Sequence, residues 1–204
     1  QEVKNVFKEL RSHKYVVRFL ASFFFYSAGV HCVLYLAPTF AEKELSFTSS
    51  ELIITILLLQ ILAIAGAYLF AFLSRLIGNK LSIITMLFIW LSICTIGFFV
   101  YDKVYFFILA GGVGLVMGGI QSLSRSTYSK FVRTGKSEMT TYFSFYDILE
   151  KMAIVSGTFI FGLVEQLTGG MRNSLLSLAI FFFIGILFLA FTKVGALDLS
   201  KENS

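Results

Sequence analysis

Blocks of nearly uninterrupted apolar residues, each close to the length of a membrane crossing, leave this chain few folds to choose from. A helix needs roughly 20 residues to cross ~30 Å of hydrocarbon. In lipid only helices or closed barrels satisfy their own backbone groups. Six such blocks read off the sequence, at residues 17–39, 52–73, 81–101, 104–123, 142–164 and 175–192. The chain is 57% hydrophobic and 14% charged, with 24 Phe among 204 residues. A soluble domain could not cover that much apolar surface. The expected fold is therefore an all-α membrane bundle over residues 17–193, with a cytoplasmic amphipathic linker at 1–16 and a cytoplasmic tail at 194–204.

Local signals punctuate the blocks. "TSSE" reads as a capping box, with Thr48 as the cap and Glu51 three residues on. Gly78–Asn79 and Gly169–Gly170 mark chain reversals, and Pro38 reads as the end of the first span. The start "QEVKNVFKELRSHKY", without Met, puts Val3, Phe7 and Leu10 on one helical face. It reads as a cytoplasmic juxtamembrane helix or, lacking an initiating Met, as a linker in the interior of a longer chain.

Lysine and arginine set the expected orientation. Lys4, Lys8, Arg11, Lys14, Arg18, Arg75, Lys80, Arg125, Lys130, Arg133, Lys136, Lys193 and Lys201 fall on one side of the spans; Lys43, Lys103 and Arg172 fall on the other. That asymmetry predicts both termini in the cytoplasm. The net charge of +5 is thus a topology signal that attracts anionic lipid head groups, and gives no support for a nucleic-acid partner.

Several chemistries find no footing. There is no GxSxG, HExxH or Walker pattern, and the only histidines are His13 and His31. We expect no enzyme, metal or cofactor. Cys32 and Cys94 read as small apolar packing residues. His31 and Gln60, both within apolar spans, read either as hydrogen-bonded packing residues or as substrate contacts.

Two spans carry polar faces. In the fourth, Gly111, Gly114, Gly118, Gln121, Ser122 and Arg125 share one arc, and Gly114 and Gly118 form a GxxxG pair suited to close helix packing. In the fifth, "FYDILEKMAIVSGTFIFGLV" places Asp147, Glu150 and Lys151 within five residues. Asp147 and Lys151 stand four apart and can pair along the helix, while Glu150 has no partner at that spacing. A charge at such depth normally faces a bundle interior or an aqueous cavity. Gln121, Arg125, Asp147, Glu150 and Lys151 are the expected gate or transport pathway.

"GGIQSLSRSTYSKFV" from Gly118, followed by "FYDILEKMA" from Phe145, resembles the vacuole-effluxer-like branch of the major facilitator superfamily, the autophagy-related amino-acid permeases of fungi and their bacterial relatives. In that branch Gly-Gly-x-Gln-x-Leu-Ser-Arg-Ser closes the tenth helix and Phe-Tyr-Asp-x-Leu-Glu-Lys opens the eleventh. The resemblance implies that the chain is the C-terminal six-helix half of a twelve-helix fold, built from 3+3 inverted repeats. Two departures stand out. "LSRLIGNK" resembles the superfamily's cytoplasmic signature loop, with Gly78 and Lys80 in place but Arg75 where an acid is usual and Leu76 where a basic residue is. "YSAGVH" resembles Tyr-x-Asp-Gly-Val-Gln, with Ala28 for Asp and His31 for Gln.

The resemblance implies a secondary active transporter in a bacterial inner membrane. It would move a small solute, amino acids among the candidates, by alternating access, and protonation of Asp147 or Glu150 is the expected route by which protons would couple to it. Its partners would be the bilayer and the missing N-terminal half, and the isolated fragment would tend to self-associate. The rival reading is a non-transporting six-helix scaffold or assembly subunit.

Overall fold

The computed structural model describes residues 14–132 and 136–192. They form six helices: α1 (Lys14–Leu45), α2 (Ser49–Ile77), α3 (Asn79–Phe98), α4 (Lys103–Phe131), α5 (Lys136–Thr168) and α6 (Met171–Ala190). Among the described residues there is no strand. Helices α1 to α4 and α6 are long and apolar enough to cross a bilayer. The 33-residue α5, which carries Asp147, Glu150 and Lys151 in its interior, packs beside α1 and α6. This is a six-transmembrane-helix bundle, and α1 starts at the same end as α6 finishes, here termed the terminal end.

Most helices overrun the apolar blocks. α1 begins at Lys14, inside the expected linker, while residues 1–13 and 193–204 lie outside the described residues. The prediction that Pro38 ends the first span is wrong. Pro38 lies within α1, which continues to Leu45. Proline removes one helical hydrogen bond there, and burial of Phe40, Ala41 and Leu45 beyond it holds the chain helical. The Arg172 guanidinium also lies over the Phe40 ring at 5.3 Å.

Helix α2 starts at the expected capping box: Thr48 Oγ1 accepts from the Glu51 N–H, and the Thr48 N–H donates back to Glu51. Asp102 caps α4 by accepting the Val104 N–H at 2.7 Å. Gly78 and Gly169 turn with φ of +84° and +71°, a region that favours glycine.

The helix contacts show an internal repeat. Exchanging α1, α2 and α3 for α4, α5 and α6 maps the extensive pair α2–α4 onto α5–α1, α1–α6 onto α4–α3, and α3–α6 onto itself. Three crossings separate equivalents, so they run in opposite directions and the repeat is inverted. Side chains follow it. Trp90 and Phe182, each twelfth in its helix, stack against one another at 5.4 Å, on the symmetry axis. Lys80, second in α3, donates to the last carbonyl of α6 (Ala190, 2.7 Å); Arg172, second in α6, donates to the last of α3 (Phe98, 3.1 Å). Buried Ser82 and Ser174 each donate to the glycine before their helix, Gly78 and Gly170.

Glycines set the closest approaches. A Cβ on Gly118 would stand 1.9 Å from the Ala63 carbonyl oxygen, one on Gly66 1.8 Å from that of Leu115, and one on Gly114 2.8 Å from that of Leu59. α2 and α4 therefore touch backbone to backbone. The equivalent contact between α5 and α1 runs through Gly157, whose Cβ would meet the Ala28 oxygen at 2.7 Å.

A polar cleft between three helices

α1, α4 and α5 enclose a cleft of about 250 Å³. Tyr26, Ser27 and His31 line it from α1; Gln121, Ser124 and Arg125 from α4; Tyr146 and Glu150 from α5. Its walls are held by bonds between helices. The Tyr26 hydroxyl and Ser124 Oγ share a 2.7 Å hydrogen bond. The Phe23 and Tyr146 rings stack at 4.1 Å, and the Tyr128 hydroxyl donates to the Tyr142 carbonyl at 3.0 Å.

Two ion pairs stand in or beside the cleft at different depths. Toward the terminal end, Arg125 on α4 pairs with Asp147 on α5 at 2.5 Å. The Arg125 guanidinium also lies 5.8 Å from the Phe143 ring and 5.9 Å from that of Tyr146. Both side chains of this pair are about half exposed, 56% and 49%. Deeper, His31 Nε2 on α1 meets Glu150 Oε1 on α5 at 3.5 Å, where the side chains are only 14% and 23% exposed. The other ring nitrogen, Nδ1, lies 3.2 Å from Ser27 Oγ and 3.0 Å from the Ser27 carbonyl. By helix rise His31 lies roughly 25 Å along α1 and Glu150 roughly 21 Å along α5, near the middle of each.

These positions correct three expectations. Asp147 does not pair with Lys151 along its own helix: Arg125 reaches it first across the gap, and among the described residues no ion pair holds the exposed Lys151. Lys151 and Asp147 instead border a shallow groove on the outer face of α5. Glu150, with no partner at i±4 on its own helix, finds the His31 ring nitrogen that Ser27 leaves free. Gln60 is exposed on α2, contrary to the buried reading, because the tight glycine contacts turn the opposite face of α2 inward. Gln121 and Ser122 are exposed where the packed glycine face of α4 ends. In the signature loop, Arg75 is exposed and Gly78 makes the turn.

Sequence reasoning missed the roles of Tyr26, Ser124 and Tyr146. All three lie inside the quoted motifs, so their positions were marked; what they touch was not. Both cysteines pack as small buried groups, Cys32 against the Gly157 carbonyl at 3.6 Å.

A six-helix bundle of two inverted three-helix repeats, with ionisable side chains turned into a cleft, is one half of a major facilitator fold. The chain belongs to the family described as vacuole effluxer Atg22 like, whose model matches residues 1–196. It is 32% identical over 198 residues to the uncharacterized MFS-type transporter YxiO of Bacillus subtilis, covering 97% of this chain and 46% of that one. It is 29% identical over 209 residues to autophagy-related protein 22 of Saccharomyces cerevisiae, covering 96% and 38%. The chain thus spans less than half the length of these relatives, which are membrane transporters by family and not enzymes. No solved structure matches it.

Proposed function

We propose that this chain is the C-terminal half of a secondary active transporter that moves a small solute, with amino acids the first class to test. The observation that carries this reading is the cleft: in an otherwise apolar bundle, ionisable groups line a path from the terminal end to mid-membrane. Such groups are costly in hydrocarbon, and their placement facing a cavity fits a pathway better than glue. Arg125 and Asp147, on helices that otherwise meet through Tyr128 against Tyr142, Phe143 and Tyr146, act as a gate whose ion pair opens and closes with alternating access.

The partner bundle covers the exposed apolar faces of α2 and α5, where Ile53, Leu57, Ile61 and Ile64 on one and Met152, Val155 and Phe159 on the other stand bare. Both termini lie in the cytoplasm of a bacterial inner membrane, by the positive-inside count. The test is uptake of a radiolabelled amino-acid mixture by the full-length protein in proteoliposomes. Uptake that Asp147→Asn reduces severalfold supports the reading, and robust flux by residues 1–204 alone contradicts it. Cysteine placed at Lys43 or Gly170 should label from outside intact cells, and cysteine at Lys130 should not.

A further inference from the structure

Among the described residues there are five ion pairs. Lys43–Glu165, Lys103–Glu51, Arg125–Asp147 and Arg172–Glu44 each join a lysine or arginine to a carboxylate. The fifth, His31–Glu150, differs: it is an ion pair only while a proton is bound to the ring, and a neutral imidazole offers Glu150 at most an Nε2–H hydrogen bond, with Nδ1 then accepting from Ser27 Oγ. It is also the deepest of the pairs that reach the cleft, and it bridges α1 and α5.

We infer that His31 and Glu150 together are the proton-binding element of the cleft, and that Asp147 is not. This rests on the transport reading above and names the groups that would carry its coupling ion. The neighbouring charges support the assignment. Asp147 is neutralised by Arg125 at 2.5 Å and needs no proton to be compensated. Lys151 does not line the cleft; it lies along α5 beside Met152 and Val155, on the face assigned above to the partner bundle. The other titratable groups on the cleft are Tyr26 from α1, Arg125 from α4 and Tyr146 from α5, while α2, α3 and α6 bring none to it. A proton arriving or leaving therefore changes the cleft's charge by one unit at the His31–Glu150 pair. With the proton gone, an unbalanced carboxylate faces the cavity from mid-helix, and an ammonium group on a solute could take the proton's place. Solute and proton would then compete for Glu150.

The pairing is tested first without any solute. In the full-length protein in lipid nanodiscs, histidine-selective labelling identifies the His31 resonance by its loss in His31→Gln. The midpoint of its titration should move by about one pH unit in Glu150→Gln, and by no more than about a third of that in Asp147→Asn. A midpoint that Glu150→Gln leaves in place overturns the proposal, whether or not transport is detected.

The coupling is tested with the labelled amino-acid mixture as probe. A gradient of one pH unit should change wild-type accumulation by about tenfold, the limit for one coupled proton. The residual uptake of His31→Gln and Glu150→Gln should not respond to the gradient. A gradient response preserved in both variants overturns the inference. If wild type moves none of the amino acids under any gradient, the transport reading fails, and the titration alone decides the pair.

Discussion

The inverted repeat makes two gaps in the bundle equivalent, yet the sequence has filled them with opposite chemistry. The cleft among α1, α4 and α5 is lined by polar and ionisable side chains. Its counterpart, on the other side of the symmetry axis, centres on α4, α1 and α2. There Val33, Leu36, Leu59, Ala110 and Val113 enclose about 70 Å³, with Thr55 the only polar side chain on its wall. Backbone geometry alone would therefore predict two sites. Only one has groups that could bind or gate anything, and the asymmetry comes from a handful of side chains on a scaffold that is close to symmetric.

Moving a charge across the axis is the most forceful way to break this comparison. Val113→Glu would bury a carboxylate in the apolar gap with no cation near it, at about 3 kcal/mol or more. Monodisperse protein on size exclusion should fall several-fold. Glu150→Leu removes a charge whose only partner can shed its own proton, so no ion is stranded. The melting temperature should hold within about 3 °C, while solute uptake is lost.

A smaller effect separates the two equivalent glycine contacts. Gly66→Ala and Gly118→Ala each place a methyl under 2 Å from a carbonyl oxygen and should cost about 2–3 kcal/mol. Gly157→Ala meets its neighbour at 2.7 Å and should cost about 1 kcal/mol. Thermal denaturation in detergent gives the order, and equal losses would show that α2 and α4 relax apart freely.

The ion pair at the mouth of the cleft is half exposed, so its contribution to stability is about 1 kcal/mol or less. Arg125→Gln, Asp147→Asn and the double variant should all fold with near-wild-type melting. Uptake is the sensitive readout. If the pair were only glue, the double variant would transport like wild type; a working gate predicts a severalfold loss in all three.

The least effect is expected on the axis itself. Trp90 Nε1 is buried with no hydrogen-bond partner, a cost that Trp90→Phe removes along with some apolar contact. The two terms oppose each other, and the shift should stay within about 1 kcal/mol. A loss of several would mean that the ring's size, and not its symmetry with Phe182, fixes the spacing of α3 and α6.

Much of the bundle was legible because hydrocarbon imposes length and polarity on each crossing. The apolar blocks at 52–73 and 175–192 lie almost wholly within α2 and α6, and the Thr48–Glu51 box marks a helix start to the residue. Pro38 was misread because a proline's effect depends on what is packed beyond it, which no local rule contains. The ionisable residues were legible as residues, since charge in an apolar run stands out. Their pairing was not. Spacing of four favours Asp147 with Lys151, but the true partners come from α4 and α1, more than twenty residues away at the nearest. Helical periodicity carries no information about which face meets which neighbour. Gln60 was misplaced for the same reason: within these six helices it is exposed on the α2 face that carries Ile53, Leu57 and Ile64, the face assigned above to the partner bundle.

The end-to-end stapling of α3 and α6 bears on how the chain is made. Lys80, Trp90 and the final carbonyls of α3 leave the ribosome well before their partners Ala190, Phe182 and Arg172, which are translated between 74 and 110 residues later. Until α6 enters the membrane, Lys80 has no carbonyl to cap, and neither does Arg18, whose guanidinium donates to Phe191 at 3.1 Å. The stacking face of Trp90 meets only lipid. A nascent chain stopped after α5 therefore presents to quality-control proteases a half-built spine with unmet donors at the membrane surface. Arrival of the sixth helix is the event that closes the bundle.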